Sequence, residues 1–205
     1  MLKKPHTFIF IGRSGSGKGT QVQLLKEYLL LKDDKTPVAY IETGEQFRTF
    51  IKKENNYSSE LSRNIAETGG LQPEFLAVWN WASLLIEKVT KTDHLILDGT
   101  PRRLREAHVL DSAISFYQRE MPLVIHLDVT SDWAKKHLLE RKRQDDDEAE
   151  ITERLKWFDT EVTPVFEMYE RDRKYNYIKI NGEQSVIDVH ENIIKEFNKL
   201  YGYNN

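Results

Sequence analysis

Short apolar runs alternate along this chain with longer segments in which apolar residues recur every three or four positions. The short runs are rich in Ile, Leu, Val and Phe, which is typical of strands that are covered on both faces. We therefore predict five buried strands: Thr7–Ile11, Val38–Ile41, His94–Leu97, Leu123–Leu127 and Tyr177–Ile180.

Helical periodicity fills the segments between these runs. Lys18–Leu31 places Val22, Leu25 and Leu29 on one stripe, and Ile187–Leu200 repeats the pattern. Strand–helix alternation of this kind indicates parallel pairing and a doubly wound α/β sheet. Ligands of such sheets bind at the carboxyl ends of the strands, so functional residues are expected there.

Composition narrows the class of protein. The formal net charge of -3 argues against a general nucleic-acid binder, and the absence of cysteine excludes disulfides and Cys-ligated zinc. No apolar run reaches the roughly 18 residues that span a bilayer, and Phe8–Ile11 is too short for a signal sequence. We expect a cytoplasmic protein that acts as a monomer, without a membrane or nucleic-acid partner.

A glycine-rich segment follows the first strand and opens the first helix. Its sequence, GRSGSGKGT over Gly12–Thr20, matches G-x-x-x-x-G-K, the phosphate loop of nucleotide-binding proteins. The glycines let backbone N–H groups converge on phosphate oxygens, the helix N-terminus adds partial positive charge, and Lys18 reaches the β- and γ-phosphates. The hydroxyl that binds Mg²⁺ in many such loops comes one residue late here, at Thr20, because Gly19 takes its usual place. The alternative is a glycine-rich turn that only caps a helix.

The segment Gly17–Gln21 resembles the adenylate kinase family, and the resemblance continues in order along nearly the whole chain. TGEQFR at 43–48 is similar to the family's T-G-x-x-x-R, GGLQPE at 69–74 to G-x-L-V-P-D, and LDGTPR at 97–102 to D-G-F-P-R. Arg143, Asp145 and Asp146, followed by Arg154, keep the spacing of the elements that bound the family's lid.

This resemblance implies a single nucleoside monophosphate (NMP) kinase domain over residues 1–205, with a P-loop three-layer α/β fold and a five-stranded parallel sheet. The core would comprise residues 1–42, 76–140 and 154–205, with a helical NMP-binding insertion at 43–75 and a short lid at 141–153. The implied reaction is the reversible transfer of a phosphoryl group from Mg–ATP to AMP, which gives two ADP. One alternative is a kinase of the same fold that prefers GMP or another NMP. Another is a P-loop ATPase or switch protein, which has no reason to keep Arg48, Arg102 and Asp98 at these spacings.

The resemblance also implies roles for the matching residues. The catalytic cations, which neutralise charge on the transferring group, would be Lys18, Arg102, Arg141, Arg143 and Arg154. Residues in contact with ATP would be Gly12, Gly15, Ser16, Gly17, Lys18, Gly19, Thr20, His137 and Gln184. Residues in contact with AMP would be Thr43, Gly44, Arg48, Gln72, Gly99, Arg102 and Glu106. The cofactor Mg²⁺ would be held by Thr20 and, through water, by Asp98.

The lid and the donor-base site depart from the family pattern. Only Lys142 separates Arg141 from Arg143, where relatives have a longer loop or a small subdomain. We therefore expect measurable ATP hydrolysis without acceptor, because lid closure normally excludes water.

His137 stands where relatives carry an arginine that stacks on the donor adenine. The four tryptophans, Trp79, Trp81, Trp133 and Trp157, are predicted to be packing residues rather than base platforms.

The acceptor-base site departs as well, because Glu106 replaces the glutamine that reads adenine in the family. An ionised carboxylate only accepts hydrogen bonds, so it suits guanine's two adjacent donors better than adenine's donor–acceptor edge. Two residues keep AMP as the predicted acceptor: Thr43 resembles AMP-preferring members, and Gln72 is a candidate for the missing amide donor. A further interpretation is that Glu106 pairs with Arg102, Arg103 or Arg105 and never reads the base.

Overall fold

A computed structural model of the chain describes residues 4–141 and 147–203. Five parallel strands form one sheet in the order β2-β3-β1-β4-β5. They are β1 (Thr7–Gly12), β2 (Val38–Glu42), β3 (His94–Asp98), β4 (Leu123–Asp128) and β5 (Asn176–Asn181). The predicted parallel sheet is confirmed, and each strand extends one residue further at its carboxyl end than the apolar run indicates.

Helices connect the strands throughout the described part of the chain. They are α1 (Lys18–Lys32), α2 (Thr43–Lys53), α3 (Tyr57–Ala66), α4 (Glu74–Lys88), α5 (Leu104–Phe116), α6 (Ser131–Arg141), α7 (Glu148–Trp157), α8 (Thr163–Arg171) and α9 (Val186–Tyr201). A π-helical turn, Phe158–Val162, joins α7 to α8.

The helices cover both faces of the sheet. Phe8 and Phe10 of β1 point to one face and pack with α1 and α9, whereas Ile9 and Ile11 point to the other and pack with α4, α5 and α8. All four side chains are buried. Alternation along a strand thus supplies two separate cores, one on each side, which gives the three-layer architecture that the sequence predicts.

Two helical segments lie outside these layers. Helices α2 and α3 follow β2, and a capping box between Asn56 and Ser59 starts α3. Helices α6 and α7 pack on each other through a small cluster that includes Leu138 and Ile151. Helices α2 and α3 fall within residues 43–75, the predicted insertion, whereas α6 falls almost wholly in the predicted core and α7 begins in the predicted lid, residues 141–153. Residues 142–146 of that lid lie outside the described residues, and the division into core, insertion and lid stays a prediction.

Strand register brings polar residues together at the carboxyl edge of the sheet. Glu42 at the end of β2 pairs with Asp98 at the end of β3, and Gly12 at the end of β1 pairs with Leu127 of β4. Phe10 of β1 pairs with Asp98, so the phosphate loop that follows β1 starts at the same edge of the sheet as these two carboxylates.

None of the described helices is long and apolar enough to cross a bilayer. The cytoplasmic location, the monomeric state and the lack of a nucleic-acid partner stay predictions.

Candidate active site

A cavity of about 730 Å³ opens at the carboxyl edge of the sheet. The phosphate loop (Gly12–Thr20) forms one end of it. One side of α2, the last turns of α6 and α7 and the segment after β3 contribute to the other walls. The predicted site residues that line it are Gly12, Gly15, Gly17, Lys18, Gly19, Thr20, Gly44, Arg48, Gln72, Asp98, Gly99, Arg102, His137, Arg141 and Arg154.

Other predicted site residues do not line this cavity. Ser16, Thr43 and Glu106 are buried beside it. Gln184 borders a second, shallower cavity at the edge strand β5, where its Oε1 accepts a hydrogen bond from Asn192 Nδ2 at 3.1 Å. Arg143 falls outside the described residues.

Lys18 is held inside the phosphate loop by the loop's own carbonyl groups. Its Nζ donates to the carbonyl oxygens of Gly12 and Arg13, both at 2.8 Å. Burial lowers the pKa of Lys18 to about 8; Asp98 opposes this shift, while Arg102 and Arg141 reinforce it. The ammonium group is therefore held within the loop that is predicted to bind phosphate.

Gly15 cannot carry a side chain in this loop. Its φ is +83, and a Cβ built there would lie 2.7 Å from the carbonyl oxygen of Ala134 and 2.8 Å from Leu138 Cγ. The left-handed backbone and the contact with α6 both require glycine. The loop is thereby packed directly against the helix that carries His137 and Arg141.

Asp98 lies at the end of β3, opposite the loop. Its Oδ2 accepts a hydrogen bond from Tyr40 Oη at 3.0 Å, and the same hydroxyl lies 3.2 Å from Glu42 Oε2. Burial raises the pKa of Asp98, and the nearby Lys18 opposes that shift. Tyr40 and Glu42 also line the cavity, but the sequence analysis did not identify them. They are polar residues on either side of Ile41 at the carboxyl end of β2, which is where ligands of parallel sheets bind, so their position could have indicated them.

Arg48 and Arg102 approach the cavity from different elements. Arg48 Nη2 donates to Glu42 Oε1 at 3.2 Å, and Arg102 Nε donates to the carbonyl oxygen of Gly99 at 2.9 Å. The guanidinium carbon of Arg102 also lies 5.7 Å from the ring centroid of Trp157. Burial lowers the pKa of Arg102, yet its high ordinary value keeps it cationic at neutral pH.

Glu106 is 1% exposed and contacts arginines. Its Oε2 accepts from the backbone N–H of Arg102 at 3.1 Å, and its Oε1 lies 3.8 Å from Arg103 Nη1. Burial raises the pKa of Glu106, while Arg102 and Arg103 oppose the shift. These contacts are compatible with the interpretation that Glu106 pairs with arginine.

Gln72 does not offer its amide to the base site. Its Nε2 donates to the carbonyl oxygen of Ser62 at 2.9 Å, and its Oε1 accepts from Ser62 Oγ at 2.8 Å. Its own carbonyl oxygen accepts from Arg103 Nη1 at 2.6 Å. Arg103, which the sequence analysis names only as a possible partner of Glu106, therefore also contacts the backbone of the insertion.

Arg154 and His137 complete the walls on the lid side. Arg154 Nη2 lies 3.0 Å from Glu150 Oε2, one turn away on α7. The ring of His137 stacks on Trp133, with 3.5 Å between centroids, and its Nδ1 donates to the carbonyl oxygen of Trp133 at 2.8 Å. Trp133 therefore packs as predicted, and the residue that it packs against is a predicted ATP contact.

A cavity with a phosphate loop at one end and arginines at the other, on a parallel sheet covered by helices, defines a P-loop protein with a kinase-type α/β fold. The sequence model of the adenylate kinase family matches residues 10–174. The chain belongs to the adenylate kinase family.

Bacterial relatives match the chain over most of its length. It is 31% identical to adenylate kinase 1 of Nostoc sp., over 88% of this chain and 92% of that protein. It is 32% identical to the adenylate kinase of Nautilia profundicola (92% and 96%) and 28% identical to that of Corynebacterium urealyticum (89% and 94%).

Proposed function

We propose that this protein is an NMP kinase that catalyses ATP + AMP = 2 ADP. The observation that carries the proposal is the convergence of Lys18, Arg48 and Arg102 on one cavity from three separated segments of the chain. A P-loop ATPase needs the first of these residues but has no use for the other two. Relatives named adenylate kinase share this chain's length and family, which supports the same conclusion.

Positioned cations account for the chemistry. An oxygen of the AMP phosphate attacks the γ-phosphorus of ATP, and the bond from that phosphorus to the β,γ-bridging oxygen breaks, so that ADP leaves. The attacking oxygen is already anionic near neutral pH, so no general base is needed. Lys18 and the loop amides would hold the donor phosphates, Arg48 and Arg102 would hold the acceptor phosphate, and Arg141 and Arg154 would neutralise the transferring group.

The cavity suits Mg²⁺ bound largely through water. Among the described residues no group of three or more His, Cys, Asp or Glu side chains could hold a metal directly. Asp98 and Thr20 nevertheless both line the cavity and carry oxygen atoms that could serve as ligands, and Mg²⁺ commonly keeps several waters and binds one or two carboxylates. We propose that these two residues hold Mg²⁺, which would neutralise charge on the donor phosphates.

AMP is the proposed acceptor, and Glu106 is the proposed discriminator of the base. A protonated carboxyl group has one donor and one acceptor, as an amide does, and so could serve adenine's edge. The buried position of Glu106 favours the neutral form, whereas Arg102 and Arg103 favour the charged form that suits guanine. Burial is the larger influence on the pKa of Glu106 and raises it, which favours the neutral form and supports AMP as the proposed acceptor.

A coupled assay of ATP with AMP, GMP, UMP, CMP and dTMP tests the proposed function. We expect transfer to AMP to be the fastest, and Lys18→Met to reduce it roughly 10²–10³-fold, as for the loss of one donor aimed at transition-state charge. Diadenosine pentaphosphate, which resembles both substrates joined end to end, should inhibit the wild type. Hydrolysis of ATP without transfer to any monophosphate would favour the ATPase alternative instead.

A further inference from the structure

Arg13 belongs to the phosphate loop but has no part in its motif. Its Nη1 donates to the carbonyl oxygen of Val129 at 3.0 Å, and its Nη2 donates to Asp159 Oδ1. The guanidinium carbon lies 4.6 Å from the centroid of the Phe158 ring. Only 17% of the side chain is exposed. Arg13 therefore connects the phosphate loop to the end of β4 and to the π-helical turn.

The same π-helical turn is joined to the acceptor side of the cavity. Trp157, directly before it, donates from Nε1 to the carbonyl oxygen of Gly69 at 3.0 Å and lies against the guanidinium of Arg102. Glu161 within the turn accepts from Arg103 Nε at 3.2 Å. One short segment thus contacts the donor loop, the insertion and an acceptor arginine, and π-helical turns are frequent at functional sites.

A guanidinium is suited to this connection because it is planar and carries several donors. It can bond a carbonyl oxygen and a carboxylate while its face lies on an aromatic ring, which a lysine cannot do. Asp159 is half-exposed, and an ion pair that solvent can screen adds little net stability, so stabilisation of the fold is a weak explanation for it. Alignment is a stronger one, because phosphoryl transfer depends on an in-line approach.

We propose that Arg13 and Asp159 form a positioning pair that holds the phosphate loop in register with the π-helical turn, so that donor and acceptor phosphates meet in line. The pair touches neither substrate and acts through the loop and through Trp157. This inference rests on the proposed kinase function, because it concerns transfer between two nucleotides.

Two rates measured on the same enzyme test the pair: transfer from ATP to AMP, and ATP hydrolysis without acceptor. We expect Arg13→Gln and Asp159→Asn each to reduce transfer about tenfold, since small misplacements of reacting groups have large effects. Hydrolysis needs no aligned acceptor and should change less than about threefold, so the ratio of hydrolysis to transfer should rise. Loss of folded enzyme lowers both rates equally and leaves this ratio unchanged.

The double variant and two further substitutions sharpen the test. Arg13→Gln with Asp159→Asn should lose no more transfer than the worse single variant, because the two residues act together. Arg13→Lys should give an intermediate rate. The matched control is Arg171→Gln, which breaks an exposed ion pair with Glu167 at 3.6 Å and should behave as wild type.

Three outcomes would overturn the proposal: single variants within a factor of two of wild type, an unchanged ratio, or a double variant whose loss is the product of the two single losses. If Arg13→Gln fails to fold, Asp159→Asn alone tests the proposal. Asp159 is 55% exposed and the change is isosteric, so this variant is expected to fold. A wild type without transfer activity would instead defeat the proposed function. Hydrogen exchange of the backbone amides in the phosphate loop would then test the positioning pair. We expect exchange to be accelerated equally in both single variants, and unchanged exchange would count against the pair.

Discussion

The donor and acceptor ends of the cavity are built in different ways. The donor end is one contiguous loop whose own backbone holds Lys18. The acceptor end is assembled from distant segments: Arg48 comes from α2 and is held by Glu42 of β2, while Arg102 follows β3 and contacts Gly99 and Trp157. The first depends on local sequence, and the second depends on how the whole chain folds.

This difference determines how each end responds to substitution. A change in the phosphate loop should affect every reaction that uses ATP, whichever acceptor is present. A change at the acceptor end should affect one phosphate or one base and leave ATP binding intact. Substitutions at the two ends should therefore have distinguishable effects on the kinetics for ATP and for the acceptor.

The largest effect is expected at Arg102. Arg102→Ala should reduce kcat/KM for AMP roughly 10²–10³-fold, because it removes a donor to the acceptor phosphate and to the transition state. The KM for ATP should change little if Arg102 serves only the acceptor. Arg105→Ala is the matched control, since Arg105 is 85% exposed and its ion pair with Glu74 lies at the surface. Activity of Arg102→Ala within a factor of three of wild type would remove Arg102 from the site.

An intermediate effect is expected from pH at the donor end. The pKa of Lys18 is lowered to about 8, so in the free enzyme the ammonium form predominates below that pH and is lost above it. Because kcat/KM reports the free enzyme, kcat/KM for ATP should fall about tenfold per pH unit above 8. The acceptor arginines stay charged in this range, so kcat/KM for AMP at saturating ATP should fall less. A flat profile for ATP up to pH 9.5 would contradict the assignment.

The smallest effect is expected in the choice of acceptor base. Glu106→Gln restores an amide with one donor and one acceptor, and should raise the ratio of kcat/KM for AMP to that for GMP by about tenfold, the equivalent of one hydrogen bond. Glu120→Gln, at a residue that is 80% exposed, is the control and should not change the ratio. An unaltered ratio in Glu106→Gln would mean that Glu106 does not read the base.

The fold and the phosphate loop can be predicted from the sequence because both depend on local patterns, whereas the predicted ATP contact Gln184 borders a different cavity. Buried parallel strands produce apolar runs, and the phosphate loop is a fixed order of residues between a strand and a helix. The extra residue at the carboxyl end of the strands also has a simple explanation. The terminal residues Glu42, Asp98 and Asp128 are polar, so hydrophobicity ends before pairing does.

The contacts at the acceptor end are harder to predict from the sequence, because each polar side chain there has several possible hydrogen-bond partners. The amide of Gln72 is free to reach the base in the sequence interpretation, yet Ser62 occupies both of its polar atoms. Arg103 is expected only as a possible partner of Glu106, yet it also connects Gln72 to Glu161. No local spacing indicates these contacts, since they join segments that meet only after the insertion folds onto the core.

The all-parallel sheet also separates two tasks in space. The cavity lies at its carboxyl edge. At its amino edge the backbone N–H of His6 donates to His94 Nδ1 at 2.9 Å, and His6 Nε2 lies 2.7 Å from Tyr203 Oη. A strand of six residues puts this aromatic cluster roughly 20 Å from the phosphate loop. Adaptation to heat or cold can therefore proceed by repacking one edge of the molecule while turnover at the opposite edge is preserved.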